Sequence, residues 1–378
     1  MIRQIQINNF RNYKEVRLNI QNDSKIVVLY GQNGSGKTNI LEAISLFFES
    51  TGLRRAKYDE MINNFSENNY WNVSLETEDA LFSSSYIKTE SSTKKIYKIN
   101  DKNVKNLNEF KKENYVLWMT YETDRLFMLS PGDRRNFIDM FCNVVSNMHS
   151  KNLKDYEKLT RERLKILKKY YEIGFCSDIL KWLNIIEQKI ATLGVSIALE
   201  RINLTKVIEN YQLTKDNFPK YTNQMQGSLE DLIRKEGSEI IENYKTELKQ
   251  RRQKDIFSGS TTFGPNRSDW VVFHEEKQIK ASYCSAGEQK LLLTDIFLSF
   301  IIYNMSLDNR KLILLLDDII AHLDFSHKNL VFKYIHNFVN NLEKDIIVFL
   351  TGVDKALFQE LEDCAQFYEI HNGKISYL

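Results

Sequence analysis

The sequence is poor in residues that mark several protein classes. Of its 378 residues only 3 are proline and 14 are glycine, which excludes collagen-like and proline-rich architectures. The 4 cysteines (Cys142, Cys176, Cys284 and Cys364) are widely separated and form no CxxC pair. This spacing argues against a disulfide framework and against a zinc site, and it favours a reduced intracellular compartment.

A long apolar segment is also missing. The longest apolar runs, such as 296–303 and 312–316, are far shorter than the ~20 residues of a membrane span. The first ten residues are polar and alternating, which is unlike a signal peptide. We therefore expect a soluble intracellular protein.

Charge of one sign is not in excess. Lys+Arg number 52 and Asp+Glu 50, and 42% of the chain is hydrophobic, enough to build a core. Three local runs are nevertheless basic, at 94–112, 151–169 and 245–254. They suit a groove that tracks nucleic-acid phosphates without reading sequence. The alternative is that they are solvated helix faces.

The N-terminal region contains the most specific motif. The segment 2–20 alternates like a β-hairpin, and 26–30 is a short apolar strand. Gly31 to Thr38 then match GxxxxGK[ST], and a helical pattern follows. In such a loop the backbone N–H groups surround phosphate oxygens, the lysine reaches the β- and γ-phosphates, and the Ser/Thr hydroxyl binds Mg²⁺. The expected nucleotide-binding residues are Gly31, Gln32, Asn33, Gly34, Ser35, Gly36, Lys37 and Thr38.

A second apolar strand, 312–316, ends in two acidic residues. Asp317 is the expected partner of Mg²⁺, and Asp318 is the candidate that orients or deprotonates the attacking water. Taken alone, the pair is as compatible with a helix N-cap.

A third motif, SAGEQK, lies between the phosphate loop and the acidic strand. Its Ser285 and Gly287 open an apolar helix, which indicates either a second anion-binding helix start or a well-capped buried helix.

In this order, the phosphate loop, SAGEQK, the acidic strand and 321–324 (AHLD) resemble the ABC-type ATPase head of SMC and DNA-repair ATPases. More narrowly, the chain resembles the RecF family of bacterial recombination mediators from end to end. That likeness is carried by NFRNY (9–13), GQNGSGKTNILEAI (31–44), GLR (52–54), RRNFID (134–139), TFGPNRSD (262–269) and SAGEQK (285–290).

The resemblance implies further site residues. Asn39 and Arg11 belong to motifs of the nucleotide site, while Ser285, Gly287 and Asp324 would act in trans on nucleotide held by a second protomer. It also implies ATP and Mg²⁺ as cofactors and a homodimer formed on ATP at gapped DNA or stalled forks. RecR, with RecO and RecA, would be partners in recombinational repair and the SOS response, in the cytoplasm near the nucleoid.

This chain departs from the family pattern at several positions. Asn266 and Ser268 replace a His and an Asp, and His322 stands where an acidic residue is usual. Asp318 is one methylene shorter than the Glu of transporter ATPases, so we expect slow ATP turnover. The resemblance implies that this turnover depends on DNA. The roles of Thr351, Arg54 and Arg267 stay open.

The predicted fold class is α/β: an ABC-type head built from both chain ends, with an inserted, mainly helical arm. The predicted lobes are 1–112 and 271–378 for the ATPase and 113–270 for the arm.

Within the arm, apolar residues recur at alternating spacings of four and three. This 4-3 rhythm predicts a helix over 179–211, ~50 Å long, that Gly194 bends or breaks. We expect a turn at 223–227 and a returning helix at 229–248, in a self-packed subdomain more than in a dimerising coil.

The sequence leaves three functional alternatives open. One is an ATP-gated DNA clamp in which hydrolysis is incidental, or another SMC-like ATPase. A transporter-type subunit is disfavoured by the long insertion and by the absence of a switch histidine near Thr351. An ATPase–nuclease would need a further acidic nuclease domain.

Overall fold

The structure is a computed structural model. It describes residues 2–21, 24–48, 51–146, 148–171, 173–174, 176–213, 218–235, 237, 239–307, 309–320, 323, 325–341, 345–371 and 373–377. Contacts divide the chain into two compact units, the first formed by 1–124 with 308–378 and the second by 125–307. The first unit therefore combines both ends of the chain, as the sequence predicted for the ATPase head.

The elements follow one another along the chain. The strands are β1 (Ile2–Phe10), β2 (Tyr13–Asn19), β3 (Ile26–Tyr30), β4 (Tyr70–Thr77), β5 (Leu81–Lys88), β6 (Thr93–Ile99), β7 (Lys102–Val104), β8 (Asn114–Met119), β9 (Tyr221–Gln226), β10 (Asp269–His274), β11 (Ile279–Lys280), β12 (Lys311–Leu316), β13 (Ile346–Gly352), β14 (Ala365–His371) and β15 (Lys374–Tyr377). The α-helices are α1 (Lys37–Ser45), α2 (Asn108–Glu113), α3 (Pro131–Val145), α4 (His149–Tyr171), α5 (Ser177–Glu209), α6 (Ser228–Lys235), α7 (Ile240–Gln250), α8 (Arg252–Ser258), α9 (Ala286–Leu307) and α10 (Phe325–Asn341).

A mixed sheet forms the centre of the first unit. Its strand order is β15-β14-β3-β13-β12-β8, and only β15 runs antiparallel to its neighbour. Strands β3, β12 and β13 are almost continuously apolar and buried, as expected for parallel strands covered on both faces. Since parallel strands end at the same edge, this order brings the segments that follow β3, β12 and β13 together.

The second sheet of the first unit is antiparallel, in the order β2-β1-β4-β5-β6-β7. The predicted N-terminal hairpin is confirmed, with Ile5 paired to Leu18 and Ile7 to Val16. These four side chains are buried, while the alternate residues of β2 are exposed. The period of two in the sequence thus reflects a sheet with one face on the core.

The long helix of the second unit confirms the 4-3 rhythm, because α5 covers Ser177–Glu209 without a break. Gly194 does not interrupt it. A Cβ at this position would lie 2.6 Å from a ring carbon of Tyr244 and 3.2 Å from the ring of Tyr156. The glycine is therefore explained by the close approach of two buried tyrosines, which sequence periodicity does not reveal.

The predicted turn at 223–227 is wrong, since 221–226 form β9 in the three-stranded sheet β11-β10-β9. Tyr221, Asn223 and Met225 point inward. The Asn223 side chain donates to the carbonyl of Thr205 at 3.1 Å and accepts from Trp270 Nε1 at 3.0 Å. A polar residue that resembles a turn former thus serves as a hydrogen-bonded core residue. The returning helix is divided into α6 and α7.

The boundaries between the compact units fall after residues 124 and 307, later in the chain than the predicted lobe boundaries after residues 112 and 270. Helix α9 therefore groups with the second unit and not with the ATPase lobe to which the sequence assigned it. Phe300 of α9 stacks on Phe141 of α3, with 4.1 Å between the ring centres. The carboxylate of Asp295, also on α9, accepts a hydrogen bond from the backbone N–H of Leu213 at 3.3 Å. The division of the chain by function stays a prediction.

By length and composition, α9 could cross a membrane, but 72% of its apolar window is buried inside the structure. Burial of this kind is common for the core helix of a globular unit.

Candidate nucleotide-binding site

The loop between β3 and α1 has the backbone that its glycines permit. Gly31 and Gly36 have φ values of 147° and 119°, which side-chain-bearing residues rarely adopt. A Cβ on Gly36 would also lie 2.5 Å from the Tyr13 hydroxyl oxygen. The loop is thus packed directly against the NFRNY segment, and Asn12 Nδ2 donates to the carbonyl of Ser35 at 2.9 Å.

Lys37 lies at the start of α1 with its amine folded onto its own loop. Nζ donates to the carbonyl oxygens of Gly31 at 2.6 Å and Gln32 at 2.9 Å. Burial lowers the pKa of this lysine, while the carboxylates of Asp318 and Asp317 act to raise it. The loop therefore holds a preorganised positive charge where phosphates are expected.

The ends of three strands meet beside this lysine. Thr38 Oγ1 donates to Asp317 Oδ1 at 2.9 Å, which joins the phosphate loop to the acidic strand. Thr351, at the end of β13, donates from Oγ1 to the same oxygen at 2.8 Å. The backbone N–H of Asp318 donates to Thr351 Oγ1 at 2.9 Å.

This arrangement fits a divalent cation. A hydroxyl and a carboxylate oxygen are hard ligands of the kind Mg²⁺ prefers, and here Thr38 and Asp317 already touch. Asp317 is 7% exposed, so a cation would stabilise its otherwise buried charge. Asp318 has φ 55°, a strained value for an aspartate that is often found at functional sites. Thr351, whose role was open, links the two acidic positions.

A pocket of about 140 Å³ opens at this edge of the sheet. It is lined by Asn33, Gly34, Gly36, Lys37, Thr38, Asn39, Arg54, Asp317, Asp318 and Thr351. The structure therefore brings together the predicted loop, the acidic pair and Asn39. It adds Arg54, whose guanidinium donates to Asn39 Oδ1 at 2.8 Å.

Arg11 is directed elsewhere. Its guanidinium donates to both carboxylate oxygens of Glu42, at 2.9 and 2.6 Å, and to the carbonyl of Glu60 at 2.8 Å. Glu42 is fully buried in α1, so this bidentate pair fixes the helix that follows the loop. Among the described residues the pocket wall contains Arg54 and not Arg11, and the assignment of Arg11 to nucleotide stays a prediction.

The SAGEQK segment forms a capped helix start. The Ser285 backbone N–H and hydroxyl both donate to Glu288 Oε2, at 3.0 and 2.9 Å, and the Glu288 N–H donates back to Ser285 Oγ at 3.4 Å. Lys277 also pairs with Glu288, and together these bonds lower the pKa of Glu288 to about 2. Ser285 therefore serves as the N-cap of α9, and its expected contact with nucleotide stays a prediction. Gly287 is exposed, and a Cβ there would meet no atom of the described residues within 4 Å.

Asp324, the remaining candidate for a trans contact, lies outside the described residues, as do 321 and 322.

The other family motifs meet one another in the second unit. Arg134 donates twice to the Asp269 carboxylate, at 2.7 and 2.8 Å, and Arg135 donates to the carbonyl of Ser268. Arg201 forms a buried bidentate pair with Asp139, at 2.7 and 2.8 Å. RRNFID and TFGPNRSD therefore act as structural motifs of this unit. Arg201, which no motif identified, is part of the same network.

Ser268 and Arg267 have local roles. The Ser268 hydroxyl donates to the buried carboxylate of Glu230, whose pKa is raised by burial. A second aspartate at 268, as in the family pattern, would place two carboxylates here. Arg267 donates to the carbonyl of Thr261 at 3.0 Å and to Ser260 Oγ at 2.6 Å.

Known proteins of one family are similar to this chain over nearly its whole length. The profile of the RecF/RecN/SMC N terminal domain family matches residues 1–376. A DNA replication and repair protein RecF from Rhizobium leguminosarum bv. trifolii (strain WSM2304) is 32% identical over 378 residues, covering 98% of this chain and 97% of its own. One from Rickettsia prowazekii (strain Madrid E) is 34% identical over 351 residues, covering 92% and 93%.

Among solved structures, that of the recombination mediator protein RecF with ATP in the RecFOR pathway has a TM-score of 0.81 to this chain. The alignment covers 100% of this chain and 97% of the other at 23% sequence identity, so this likeness speaks for the fold. The chain belongs to the RecF/RecN/SMC N-terminal domain family and, within it, to the RecF proteins. The family and the fold class expected from the motifs are thereby confirmed.

Proposed function

We propose that this chain is an ATP-dependent DNA-binding protein of recombinational repair. It dimerises on ATP at gapped DNA or stalled forks and, with RecR and RecO, helps load the RecA recombinase onto single-stranded DNA. The observation that supports this most directly is the convergence of Lys37, Thr38 and Asp317 at one sheet edge, in a chain of the RecF family. We expect the protein to work in the cytoplasm, associated with the nucleoid.

The residues of the site have distinct expected tasks. The loop N–H groups and Lys37 would bind the phosphates of ATP, and Thr38 with Asp317 would hold Mg²⁺. When bound, Mg²⁺ would neutralise charge on the β- and γ-phosphates. Asp318, held by its backbone bond to Thr351, would orient the attacking water. Because its side chain is short, we expect slow hydrolysis that resets the dimer.

Gly287 supports a contact made in trans. Glycine in a helix is less favourable than alanine by up to ~1 kcal/mol, and among the described residues nothing near Gly287 requires the absence of a side chain. A phosphate of nucleotide held by a second copy would require that space. In the proposed dimer Ser285 and Gly287 cap that γ-phosphate, and Asp324 crosses the same interface.

Sedimentation tests the ATP-dependent dimer. We expect the slow-hydrolysis variant Asp318→Asn to be monomeric without nucleotide and dimeric with ATP and Mg²⁺, because ATP stabilises the state that binds it. Lys37→Arg in the same buffers is the matched control for lost phosphate binding. Equal monomer fractions of Asp318→Asn with and without ATP would contradict the proposal.

DNA binding is measured on duplex, single-stranded and gapped oligonucleotides as a function of ATP. We expect wild type to bind duplex-containing substrates more tightly with ATP, and Lys37→Arg to lose that gain. Nucleotide-independent binding to all three substrates would rule out the clamp mechanism. Turnover with and without DNA then distinguishes an ATPase from a clamp in which hydrolysis is incidental.

A further inference from the structure

Helix α4 carries a row of basic side chains along one face. Six of them follow spacings of three and four residues, which place them on one side of a helix. All six are exposed, and we name them the α4 ridge: Lys151, Lys154, Lys158, Arg161, Lys165 and Lys168. The opposite face carries the buried residues Tyr156, Arg163 and Leu167.

The charges of the α4 ridge are available to a ligand. Among the residues that the structure describes, none of the six forms an ion pair with a carboxylate, and Arg161 contacts only the carbonyl of Glu157, at 3.2 Å. Arg163, which the sequence counts in the same basic run, is instead fully buried between Glu187 and Asp255. The fold therefore sorts one basic run into a structural arginine and an exposed row.

The other two basic runs are partly neutralised or buried. In 245–254, Lys245 pairs with Glu242, Arg251 with Glu247, and Arg252 with Glu187. In 94–112, the amine of Lys95 lies beneath aromatic rings, 3.8 Å from the centre of Trp71. Charge runs that look equivalent in the sequence thus differ in the structure. Among the described residues, the α4 ridge has more exposed charges without an ion pair than either of the other two runs.

The α4 ridge has the dimensions of a phosphate-tracking surface. At 1.5 Å per residue, Lys151 and Lys168 are separated by ~26 Å along the helix. Duplex DNA presents about one negative charge per 1.7 Å of axis, so this length faces several phosphates. A row of cations that forms no ion pair with any described residue is complementary to such a backbone.

We propose that the α4 ridge is the surface by which this chain binds the phosphate backbone of duplex DNA, an inference that rests on the proposed function. Five of the six side chains are lysines, which contact phosphates as point charges and carry no base-specific hydrogen-bonding pattern. Binding is therefore independent of sequence and steeply dependent on salt. The apolar face of α4 is committed to the core, so this helix has no face left to insert into a membrane.

The test uses the full chain and a fluorescent duplex oligonucleotide, titrated with protein over a series of salt concentrations. The variant Lys154→Gln/Lys158→Gln/Lys165→Gln removes three charges and keeps good helix formers. We expect the slope of log affinity against log salt to become shallower by about 3, and affinity at 0.1 M salt to fall on the order of a hundredfold. ATP binding should be unchanged, which verifies that the head is folded.

The matched control, Lys94→Gln/Lys102→Gln/Lys105→Gln, removes the same charge from exposed positions of the first unit. It should keep most of the affinity and the slope of wild type. Equal losses in both triple variants, or none in the α4 variant, would overturn the α4 ridge while leaving DNA binding itself intact. Failure of wild type to bind duplex would overturn the proposed function and the α4 ridge with it, as would preferential binding to vesicles of anionic lipid.

Discussion

Lys95 places an amine inside a cage of aromatic rings. Its Nζ lies 3.8 Å from the ring centre of Trp71 and 4.5 Å from that of Tyr58. Among the described residues this buried amine has no hydrogen-bond partner. Burial lowers the pKa of Lys95 to about 7, from an ordinary value of 10.5. Attraction between a cation and the ring faces compensates part of that cost.

This environment predicts how stability responds to pH. The folded chain binds the Lys95 proton more weakly than the unfolded chain does, so lowering the pH from 10.5 towards 7 favours unfolding, and below 7 this group contributes no further change. Lys95→Met should remove that slope and raise the free energy of unfolding at pH 7 by ~1–3 kcal/mol. Urea unfolding of both proteins across this pH range measures the difference.

Lys94→Met is the control for this measurement, because it makes the same change on the same strand at an exposed position. It should leave the pH dependence as in wild type. If Lys95→Met and wild type have parallel pH profiles, the caged amine does not titrate as described.

At the scale of elements, the buried guanidinium of Arg163 joins four helices of the second unit, α4, α5, α7 and α8. Arg163 on α4 donates to Glu187 of α5 at 2.9 Å and to Asp255 of α8 at 2.6 Å, and all three side chains are fully buried. Its third contact is to the carbonyl of Leu248, at 2.6 Å. One guanidinium thus satisfies acceptors from separate elements at once.

Arg163→Met should be strongly destabilising, because it leaves Glu187 and Asp255 as buried carboxylates without this partner. The expected loss is ~3–5 kcal/mol in the free energy of unfolding. Arg161→Met, two residues away on the same helix but exposed, should change it by no more than about 0.5 kcal/mol. Chemical denaturation of both variants is the measurement, and similar effects of the two changes would contradict the role of the buried guanidinium.

At the start of α9, helix stability favours alanine at Gly287, whereas the proposed ATP-driven dimer requires glycine there. The methyl group of Gly287→Ala meets no atom within 4 Å in the part of the chain that the structure describes, so the variant should raise thermal stability slightly, by no more than ~1 kcal/mol. If Gly287 approaches a nucleotide held by a second copy, the same variant should lose ATP-driven dimerisation in sedimentation. ATP binding by the monomer should remain. A variant that dimerises as wild type does would show that the helix start stays clear of the interface.

At the scale of the whole molecule, the head depends on the order of its strands. β3 lies between β13 and β14, with Val28 opposite both Leu350 and Phe367. Both neighbours come from the C-terminal segment. The phosphate loop is therefore supported on both sides by strands that lie more than half the chain away.

A chain ending at Leu307 should accordingly lose ATP binding and the cooperative unfolding of the head, because β3 would have no partner in the mixed sheet. A chain ending at His371 is the control, since it lacks only the antiparallel edge strand β15. It should keep ATP binding in equilibrium titrations. ATP binding by the shorter chain would mean that the loop folds without its sheet.

The sequence by itself determined the parts of this protein that consecutive residues specify. The phosphate loop between β3 and α1, the acidic end of β12 and the length of α5 follow from local backbone requirements and apolar periodicity. Each of these features is formed by residues that lie close together in the chain, so the sequence pattern alone is enough to predict it. The family motifs also gave the order in which the phosphate loop, SAGEQK and the acidic strand follow one another along the chain.

Only the tertiary structure decided which distant residues meet. Thr351 joins Asp317 and Asp318, Arg54 rather than Arg11 lines the pocket, and residues predicted as a turn became β9 because Asn223 finds partners inside the second unit. The tertiary structure also determined that, of the three basic runs, the one on α4 keeps an exposed row of charges. These outcomes depend on strand order, burial and the pairing of charges across long sequence separations, none of which has a local signature.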